Sequence, residues 1–263
     1  MNSMVCVAYV PDTETKIKIA ADGKSIDESD VKWIVSPYDE FALEEAIKTK
    51  ESQGAGTVTI VSLGPERAKT GIRECLARGA DDGIWIDSKG TNLDALGVAK
   101  NLAAAIQGAP HDVVWFGQKG VGLDESLVGP MVAELLGIPH VANVVKFSAG
   151  DGKVVCEREI EGAHEHVESP TPCVITAQKG LNEPRYASLK GIMAAKKKTI
   201  QERAAEAVEP KTAIVKLELP PPPKPCHFVP GGDPKSSAEG AAADPAGAAR
   251  ELARLLREEA KVI

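Results

Sequence analysis

The chain lacks the features that mark several large classes of protein. It contains no run of about 18 apolar residues, so no segment is expected to span a membrane. Its net charge of −7 over 263 residues is the opposite of the basic footprint of a nucleic-acid-binding protein. Met4 is followed by a strand-like run rather than by a charged region and a long apolar one, so no secretory signal is expected.

Cysteine is scarce and scattered. The five cysteines form no Cys-x-x-Cys pair and no cluster with histidine. This distribution excludes the usual zinc and iron–sulfur motifs and fits a reducing compartment. The chain is therefore expected to be a soluble intracellular protein without a metal site or a redox centre of its own.

A hydrophobic content of 43% is enough for a substantial core, and strand-like and helix-like segments alternate through the first half of the chain. One helix start is well marked, with Ser36 as N-cap and Pro37 at the first helical position, and this helix is expected to end before Gly54. Such alternation predicts right-handed βαβ units on a doubly wound, mostly parallel sheet of the adenine-nucleotide-binding type. The other predicted segments are the strands Met4–Val10, Thr57–Leu63, Gly83–Ile86 and Asp112–Phe116 and the helices Glu66–Arg78, Leu93–Ile106 and Glu125–Leu136.

The pattern changes after Val141. Short strands separated by turn residues predict an antiparallel excursion over Val144–Phe147, Lys153–Ile160 and His166–Glu168, and Cys173–Thr176 returns the chain to the sheet. His164 and His166 share one face of this excursion and could reach one metal ion. The sequence shows no third ligand, so a solvated hairpin is the preferred interpretation.

The last part of the chain differs in composition from the rest. Ala213–Leu219 is strand-like, Pro220–Pro225 is extended, and residues 230–248 are rich in Gly, Pro, Ala and Ser. Arg250–Ala260 is a short amphipathic helix that is expected to pack on a partner subunit. We therefore predict an α/β domain over residues 1–219 and an extended arm, a proline-rich linker ending in a helix, over residues 220–263.

A glycine-rich loop follows the fourth predicted strand of the parallel part. In an open parallel sheet, ligands bind beyond the carboxyl ends of the strands, which here are followed by Val10–Asp12, Leu63–Pro65 and Gly117–Gly129. Glycines let a ligand approach the backbone closely, and the free N–H groups of a following helix attract phosphate. The loop is neither a G-x-G-x-x-G fingerprint nor a Walker loop. The residues alone therefore leave two interpretations open, an anion or nucleotide site and a structural turn.

A second segment is unsuited to a core. Leu181–Lys198 follows a buried strand-like run and is polar, except for one prominent apolar residue, Leu189, before a basic end that is predicted to be helical. It contains Asn182-Glu183-Pro184-Arg185-Tyr186, then Ser188-Leu189, Gly191-Ile192-Met193 and Lys196–Lys198. This block resembles the signature of the small (beta) subunit of electron transfer flavoproteins, and the likeness extends over roughly residues 4–200. Lys190 and Ala194 depart from the proline and lysine that are usual in that family.

The resemblance implies that residues 179–199 form a recognition loop for partner dehydrogenases, with Leu189 as its anchor. The partners it implies are acyl-CoA or related dehydrogenases, a membrane quinone reductase and a large (alpha) subunit in an obligate heterodimer. The other implied docking residues are Glu183, Arg185, Tyr186, Ile192, Met193, Lys196, Lys197 and Lys198.

The resemblance also implies a nucleotide in the crevice, AMP in ordinary carriers or a second FAD in electron-bifurcating ones. Ser36 stands where the family often has asparagine, and Leu127-Val128 stand where it often has Gln-Thr or Gln-Val. The implied nucleotide-binding residues are Cys6, Ser36, Leu63, Gly122, Leu123, Asp124, Glu125, Ser126, Leu127, Val128, Gly129, Pro130 and Met131.

In this family the FAD that carries the electrons is shared with the large subunit. The resemblance puts Tyr38 near that flavin and pairs Glu159 with an arginine of the large subunit. It implies an electron carrier rather than an enzyme, in the bacterial cytoplasm or, in a eukaryote, the mitochondrial matrix. One alternative is a bifurcating subunit that takes electrons from NADH. Another is an adenine-nucleotide hydrolase or ligase, although the expected S-G-G-x-D-S loop is absent after the first strand.

Overall fold

The computed structural model describes residues 1–91, 93–222, 229 and 244–263. It divides into two compact units, Met1–Leu217 and Glu218–Ile263. The last three residues of the predicted proline run, 223–225, and most of the predicted linker, 230–243, lie outside the described residues.

The described strands form one large sheet and one small one. The large sheet has nine strands in the order β11-β5-β4-β1-β6-β10-β7-β8-β9, and β2 pairs with β3 in the small one. From β11 to β7 all neighbours run parallel, whereas β7, β8 and β9 are antiparallel, which confirms the predicted fold class. The strands are β1 Ser3–Cys6, β2 Tyr9–Pro11, β3 Trp33–Val35, β4 Val58–Gly64, β5 Asp82–Asp87, β6 Val113–Gly117, β7 His140–Gly150, β8 Lys153–Ile160, β9 Ala163–Pro170, β10 Cys173–Ala177 and β11 Ile200–Ala204.

Helices cover both faces of the parallel part. The helices of the first unit are α1 Pro37–Gln53, α2 Ala68–Arg78, α3 Ala95–Gln107, α4 Val128–Leu136 and α5 Leu189–Ala195. The described part of the second unit contains α6 Pro245–Glu258. One core cluster contains residues of α1, α2 and α5, and the other contains residues of α3 and α4. Alternate residues of β6 belong to opposite clusters, Trp115 to the first and Phe116 to the second. Burial on both faces explains why this strand is an uninterrupted apolar run.

The predicted first strand is divided in the structure. β1 ends at Cys6, and the chain then leaves the large sheet so that β2 pairs with β3, a strand that the sequence analysis missed. Between them, an isolated bridge joins Ile19 to Ile26 around the turn at Asp22 and Gly23. The run Met4–Val10 was predicted as one strand because both pieces are apolar, and their partners are not visible in the local pattern.

Several local predictions were wrong. Helix α4 begins at Val128 rather than Glu125, because Asp124 N–H donates to the Gly120 carbonyl and Gly120 N–H to the Glu125 carbonyl, which closes a loop before the helix. Ala213–Leu219 forms no strand, whereas Ile200–Ala204, for which no strand was predicted, forms edge strand β11. Helix α5 ends at Ala195, so Lys196–Lys198 follow the helix.

Candidate functional site

A cavity of the first unit lies at the carboxyl ends of β1 and β6. Strand β1 is the point where the order of the sheet reverses, because its neighbours are β4 on one side and β6 on the other. The cavity has a volume of about 300 Å³. Its walls come from the ends of β1, β4, β6 and β10, from the residues around α3 and from the first turn of α4. This is where ligands bind in doubly wound sheets.

Asp39, in the first turn of α1, connects the two strand ends below the cavity. Its Oδ2 accepts a hydrogen bond from the N–H of Ala8 at 2.8 Å, and its Oδ1 accepts one from the N–H of Gly117 at 2.9 Å. A Cβ on Gly117 would lie 2.5 Å from Asp39 Oδ1 and 2.6 Å from Tyr38 Cβ. Only glycine leaves room for α1 to approach the end of β6 this closely.

The environment of Asp39 favours its neutral form. Burial raises the pKa of its carboxyl to about 7, although the hydrogen bonds from Ala8 and Gly117 act in the opposite direction. Burial and the neighbouring Asp39 also raise the pKa of the Cys6 thiol, which therefore remains protonated. The cavity thus has weakly acidic groups at its floor and no thiolate nucleophile.

The first turn of α4 forms one wall of the cavity and supplies unpaired donors. Val128, Gly129 and Pro130 line it, and the N–H groups of Val128 and Gly129 belong to the first turn, which has no acceptor within its helix. A Cβ on Gly129 would lie 2.9 Å from Thr176 Cγ2, so the helix contacts β10 closely. This arrangement is suited to bind a phosphate.

Lys119 is the one cationic side chain among the described residues that line the cavity. Its Nζ lies 3.1 Å from Asp124 Oδ2 and 5.9 Å from the centre of the Tyr38 ring. Nearby, Gln118 Nε2 and Ser126 Oγ are 3.5 Å apart. The loop between β6 and α4, residues 118–127 and hereafter the crevice loop, therefore places polar groups at the mouth of the cavity.

The structure brings together many, though not all, of the predicted nucleotide-binding residues. Ser36 is fully buried, and its Oγ makes no hydrogen bond within the described part of the chain, so its side chain does not cap α1 as predicted. Tyr38 is half-buried at the start of the same helix. Those that line the cavity are Cys6, Leu63, Leu123, Glu125, Ser126, Val128, Gly129 and Pro130, and those that do not are Ser36, Gly122, Asp124, Leu127 and Met131.

Sequence reasoning missed four polar residues of the cavity, Asp39, Gln118, Lys119 and Thr176. A signal existed for three of them, because Asp39 occupies the first turn of the helix that was predicted at Ser36, and Gln118 and Lys119 lie within the glycine-rich loop. The apolar wall from Leu93, Ala95, Val98 and Leu102 was also missed. No signal existed for it, because a helix face toward a cavity has the same pattern as a face toward a core.

The segment Leu181–Lys198, hereafter the docking segment, presents apolar side chains to solvent. The exposed fraction is 94% for Tyr186, 85% for Leu189 and 61% for Met193. Glu183, Ile192, Lys196 and Lys197 are also exposed. Ser188 caps α5 by accepting a hydrogen bond from the N–H of Gly191 at 3.0 Å. Single exposed apolar residues are common, but several together on one segment are typical of an interaction surface.

Charged hydrogen bonds hold the docking segment against α1. The Arg185 guanidinium donates to Glu44 through Nε at 2.9 Å and to Glu51 through Nη1 at 2.6 Å. These bonds raise the pKa of Arg185 further, so it remains charged. Asn182 Nδ2 donates to the Phe41 carbonyl at 3.0 Å and to Glu45 at 2.8 Å. The base of the segment is therefore fixed, whereas its apolar side chains point outward.

Two of the predicted docking residues point partly inward. Arg185 is half-buried on α1, and Lys198 Nζ donates to the Ala80 carbonyl at 2.6 Å. Glu159 lies exposed near the end of β8.

The two histidines of the hairpin both face Glu157, with His164 Nδ1 at 2.8 Å and His166 Nε2 at 3.7 Å from its carboxylate. Lys146 Nζ also contacts that carboxylate at 2.9 Å, so the cluster is an ion-pair network.

The described residues contain neither a candidate metal site nor a candidate membrane-spanning helix. Within the part of the chain that the structure describes, no group of three or more His, Cys, Asp or Glu side chains could hold a metal ion. None of the helices in the described residues is long and apolar enough to cross a bilayer.

Comparison with known proteins gives consistent similarities to one family. Residues 24–208 match the family model described as the electron transfer flavoprotein domain. The beta subunit of the electron transfer flavoprotein of Syntrophomonas wolfei is 41% identical over 218 residues, which cover 83% of this chain and 85% of that protein. The corresponding subunit of Bacillus subtilis is 36% identical over the full length of both chains. The corresponding subunit of Mus musculus is 34% identical over 228 residues, which cover 84% of this chain and 89% of that protein.

Proposed function

The chain belongs to the electron transfer flavoprotein family, among its beta subunits, and we propose on that basis that it carries electrons as the small half of a heterodimer. Electrons would come from acyl-CoA or related dehydrogenases and go on to a membrane quinone reductase. The bound FAD would accept and release these electrons, and this chain would make or break no bond in a substrate.

We propose AMP as the ligand of the cavity in this subunit. The observation that carries this proposal is the first turn of α4, where Val128 and Gly129 line the cavity at the switch point of the sheet and their N–H groups have no acceptor within the helix. Another part of the lining, from Val98 and Leu102, is apolar and offers a surface for a planar base. A phosphate at one wall and a base against another is the arrangement that a mononucleotide requires.

The size of the cavity favours AMP over a second FAD. Its volume of about 300 Å³ is at the lower end of the range of roughly 300–1,000 Å³ for small-molecule sites. A dinucleotide has about twice as many atoms as a mononucleotide and would need the crevice loop to move outward. The geometry therefore supports a simple carrier better than a bifurcating subunit.

The edge of the subunit beside α1 is proposed to complete the flavin site. Tyr38 offers a half-buried aromatic ring there, and Glu159 offers an exposed carboxylate near the end of β8 for an arginine of the large subunit. The amphipathic helix α6 would pack on the same partner. In this arrangement the beta subunit binds, orients and shields the cofactor, while most of the flavin contacts belong to the large subunit.

The docking segment is proposed to bind the dehydrogenase. Leu189 and Met193 form its exposed apolar centre, and Lys196 and Lys197 form a basic margin that would attract an acidic partner surface. Glu183, Tyr186 and Ile192 complete the surface. The inward position of Arg185 and the hydrogen bond of Lys198 suggest that these two residues act by shaping the segment.

The nucleotide content of the purified heterodimer tests the cofactor proposal. The ligands are released by denaturation, separated by chromatography and quantified against protein. One FAD and one AMP per heterodimer are expected. Two FAD and no AMP would support the bifurcating alternative, and one FAD without a second nucleotide would contradict the assignment of the cavity.

A further inference from the structure

The cavity presents an electrostatic difficulty to an anionic ligand. Its described lining contains two acids, Asp39 and Glu125, and one cation, Lys119. Burial keeps the pKa of Asp39 near 7, so this carboxyl is neutral in part at neutral pH. The charge of a phosphate must therefore be balanced chiefly by Lys119, together with the N–H groups at the start of α4.

Lys119 already forms an ion pair with a residue that does not itself line the cavity. Its Nζ pairs with Asp124 at 3.1 Å, and the exposed fraction is 30% for the lysine side chain and 62% for the aspartate side chain. Asp124 has a positive φ of 53°, a conformation that aspartate tolerates better than most residues. The turn that places it there is closed by the hydrogen bond from its own N–H to the Gly120 carbonyl at 3.0 Å.

We propose that Lys119 is the residue that recognises the phosphate of the nucleotide, and that Asp124 occupies its place until the nucleotide binds. The inference rests on the proposed function, because it assumes that the cavity binds a nucleotide. It adds the specificity of that site, namely a requirement for a phosphorylated nucleoside, and a movement of one ion pair on binding.

The exchange is favourable because the two anions differ in charge and in surroundings. Asp124 is an exposed carboxylate with one charge, so its pair with Lys119 contributes little to stability. A nucleotide phosphate carries up to two charges and would also accept hydrogen bonds from Val128 and Gly129. Lys119 can change partner without crossing the cavity, because its side chain is already part of the lining.

Equilibrium binding of AMP and of adenosine to the nucleotide-free heterodimer tests the proposal. Lys119→Gln is expected to weaken AMP binding about tenfold or more, the usual scale for losing one charged hydrogen bond, and to leave adenosine binding unchanged. Asp124→Asn keeps the left-handed turn and removes the competing charge, so it is expected to strengthen AMP binding. Lys100→Gln removes an exposed lysine of α3 and serves as a matched control without effect on either ligand.

The outcomes separate this inference from the proposed function. If neither AMP nor adenosine binds the unaltered heterodimer, the nucleotide site itself is wrong. If both bind but Lys119→Gln weakens them equally, or weakens neither, Lys119 does not recognise the phosphate and the inference is wrong. Lys119→Arg retains the charge and is expected to restore the preference for AMP. Loss of that preference in Lys119→Arg would also overturn the inference.

Discussion

The crevice loop and the docking segment have a similar pattern of polar and apolar residues, but they differ in the contacts that hold them in place. Both follow a strand of the parallel sheet, both are polar with a few exposed apolar residues, and a short helix follows the crevice loop and lies within the docking segment. The docking segment is anchored on α1 by Arg185, whose guanidinium binds two carboxylates. The side chains of the crevice loop form one partly exposed ion pair, Lys119 with Asp124, and one long hydrogen bond between Gln118 and Ser126.

This difference indicates how each region would bind. A surface that must be recognised by a large partner gains from being rigid beforehand, because less conformational freedom is then lost on association. A loop that surrounds a small ligand must open to admit it, and the ligand can supply the missing interactions. Four substitutions or conditions test this contrast, from the largest expected effect on stability to the smallest.

Replacing Arg185 by alanine is expected to have the largest effect. It would leave Glu44, a carboxylate that is only 5% exposed, without its charged partner. Losing such a partner costs about 3 kcal/mol of unfolding free energy. Urea unfolding of the purified chain measures the change. Arg254→Ala is the control, because Arg254 also pairs with glutamates, Glu251, Glu258 and Glu259, but all four side chains are exposed, and its loss is expected to cost much less. Equal effects would show that the docking segment is not anchored as described.

Replacing Gly117 by alanine is expected to destabilise the crevice. The added Cβ would meet Asp39 Oδ1 and Tyr38, so α1 must shift away from β6 at a cost of about 2 kcal/mol. The temperature of thermal unfolding and the AMP content of the heterodimer should both fall. Gly120→Ala is the control in the same loop, since its Cβ would meet nothing within 4 Å. A Gly117→Ala variant with normal stability and AMP content would contradict the close approach.

The stability of the chain is expected to depend on pH through Asp39. Its pKa is raised to about 7 in the folded chain, against about 3.9 when unfolded, so the native state binds the proton more tightly. The stabilisation from protonated Asp39 is complete below the unfolded pKa and is lost as the pH rises through 7. We expect a loss of about 1 kcal/mol between pH 6 and pH 7. Urea unfolding at both values measures it, and Asp39→Asn should lack this component whatever its absolute stability. An identical pH dependence in the variant would exclude Asp39 as the source.

Replacing Leu189 by alanine is expected to have the smallest effect on stability. The side chain is 85% exposed, so the unfolding free energy should change by less than about 0.5 kcal/mol. Electron transfer from a partner dehydrogenase should fall, which steady-state kinetics with the heterodimer would measure. Lys100→Gln, far from the segment in sequence and also exposed, should change neither quantity. A loss of stability in Leu189→Ala would show that this residue supports the fold rather than the docking surface.

The sequence predicted where the candidate site lies better than it predicted which residues line it. The rule for parallel sheets led to the loop after β6, and eight of the residues that the family resemblance implied line the cavity, from Cys6 to Pro130. It did not identify Asp39, because an acid in the first turn of a helix is ordinary and its two backbone partners, Ala8 and Gly117, are 31 and 78 residues away in the chain. It placed Arg185 in the docking segment without indicating that the guanidinium faces α1.

The sequence by itself determined the architecture of this protein. Apolar runs buried on both faces, helices between them and the change to antiparallel hairpins after Val141 are local patterns, and local patterns reflect the periodicity of the backbone. Only the tertiary structure decided that the first strand divides at Cys6 and that β11 joins the edge of the sheet. These outcomes depend on partners distant in the chain, and the burial that selects such partners exists only after the elements have packed.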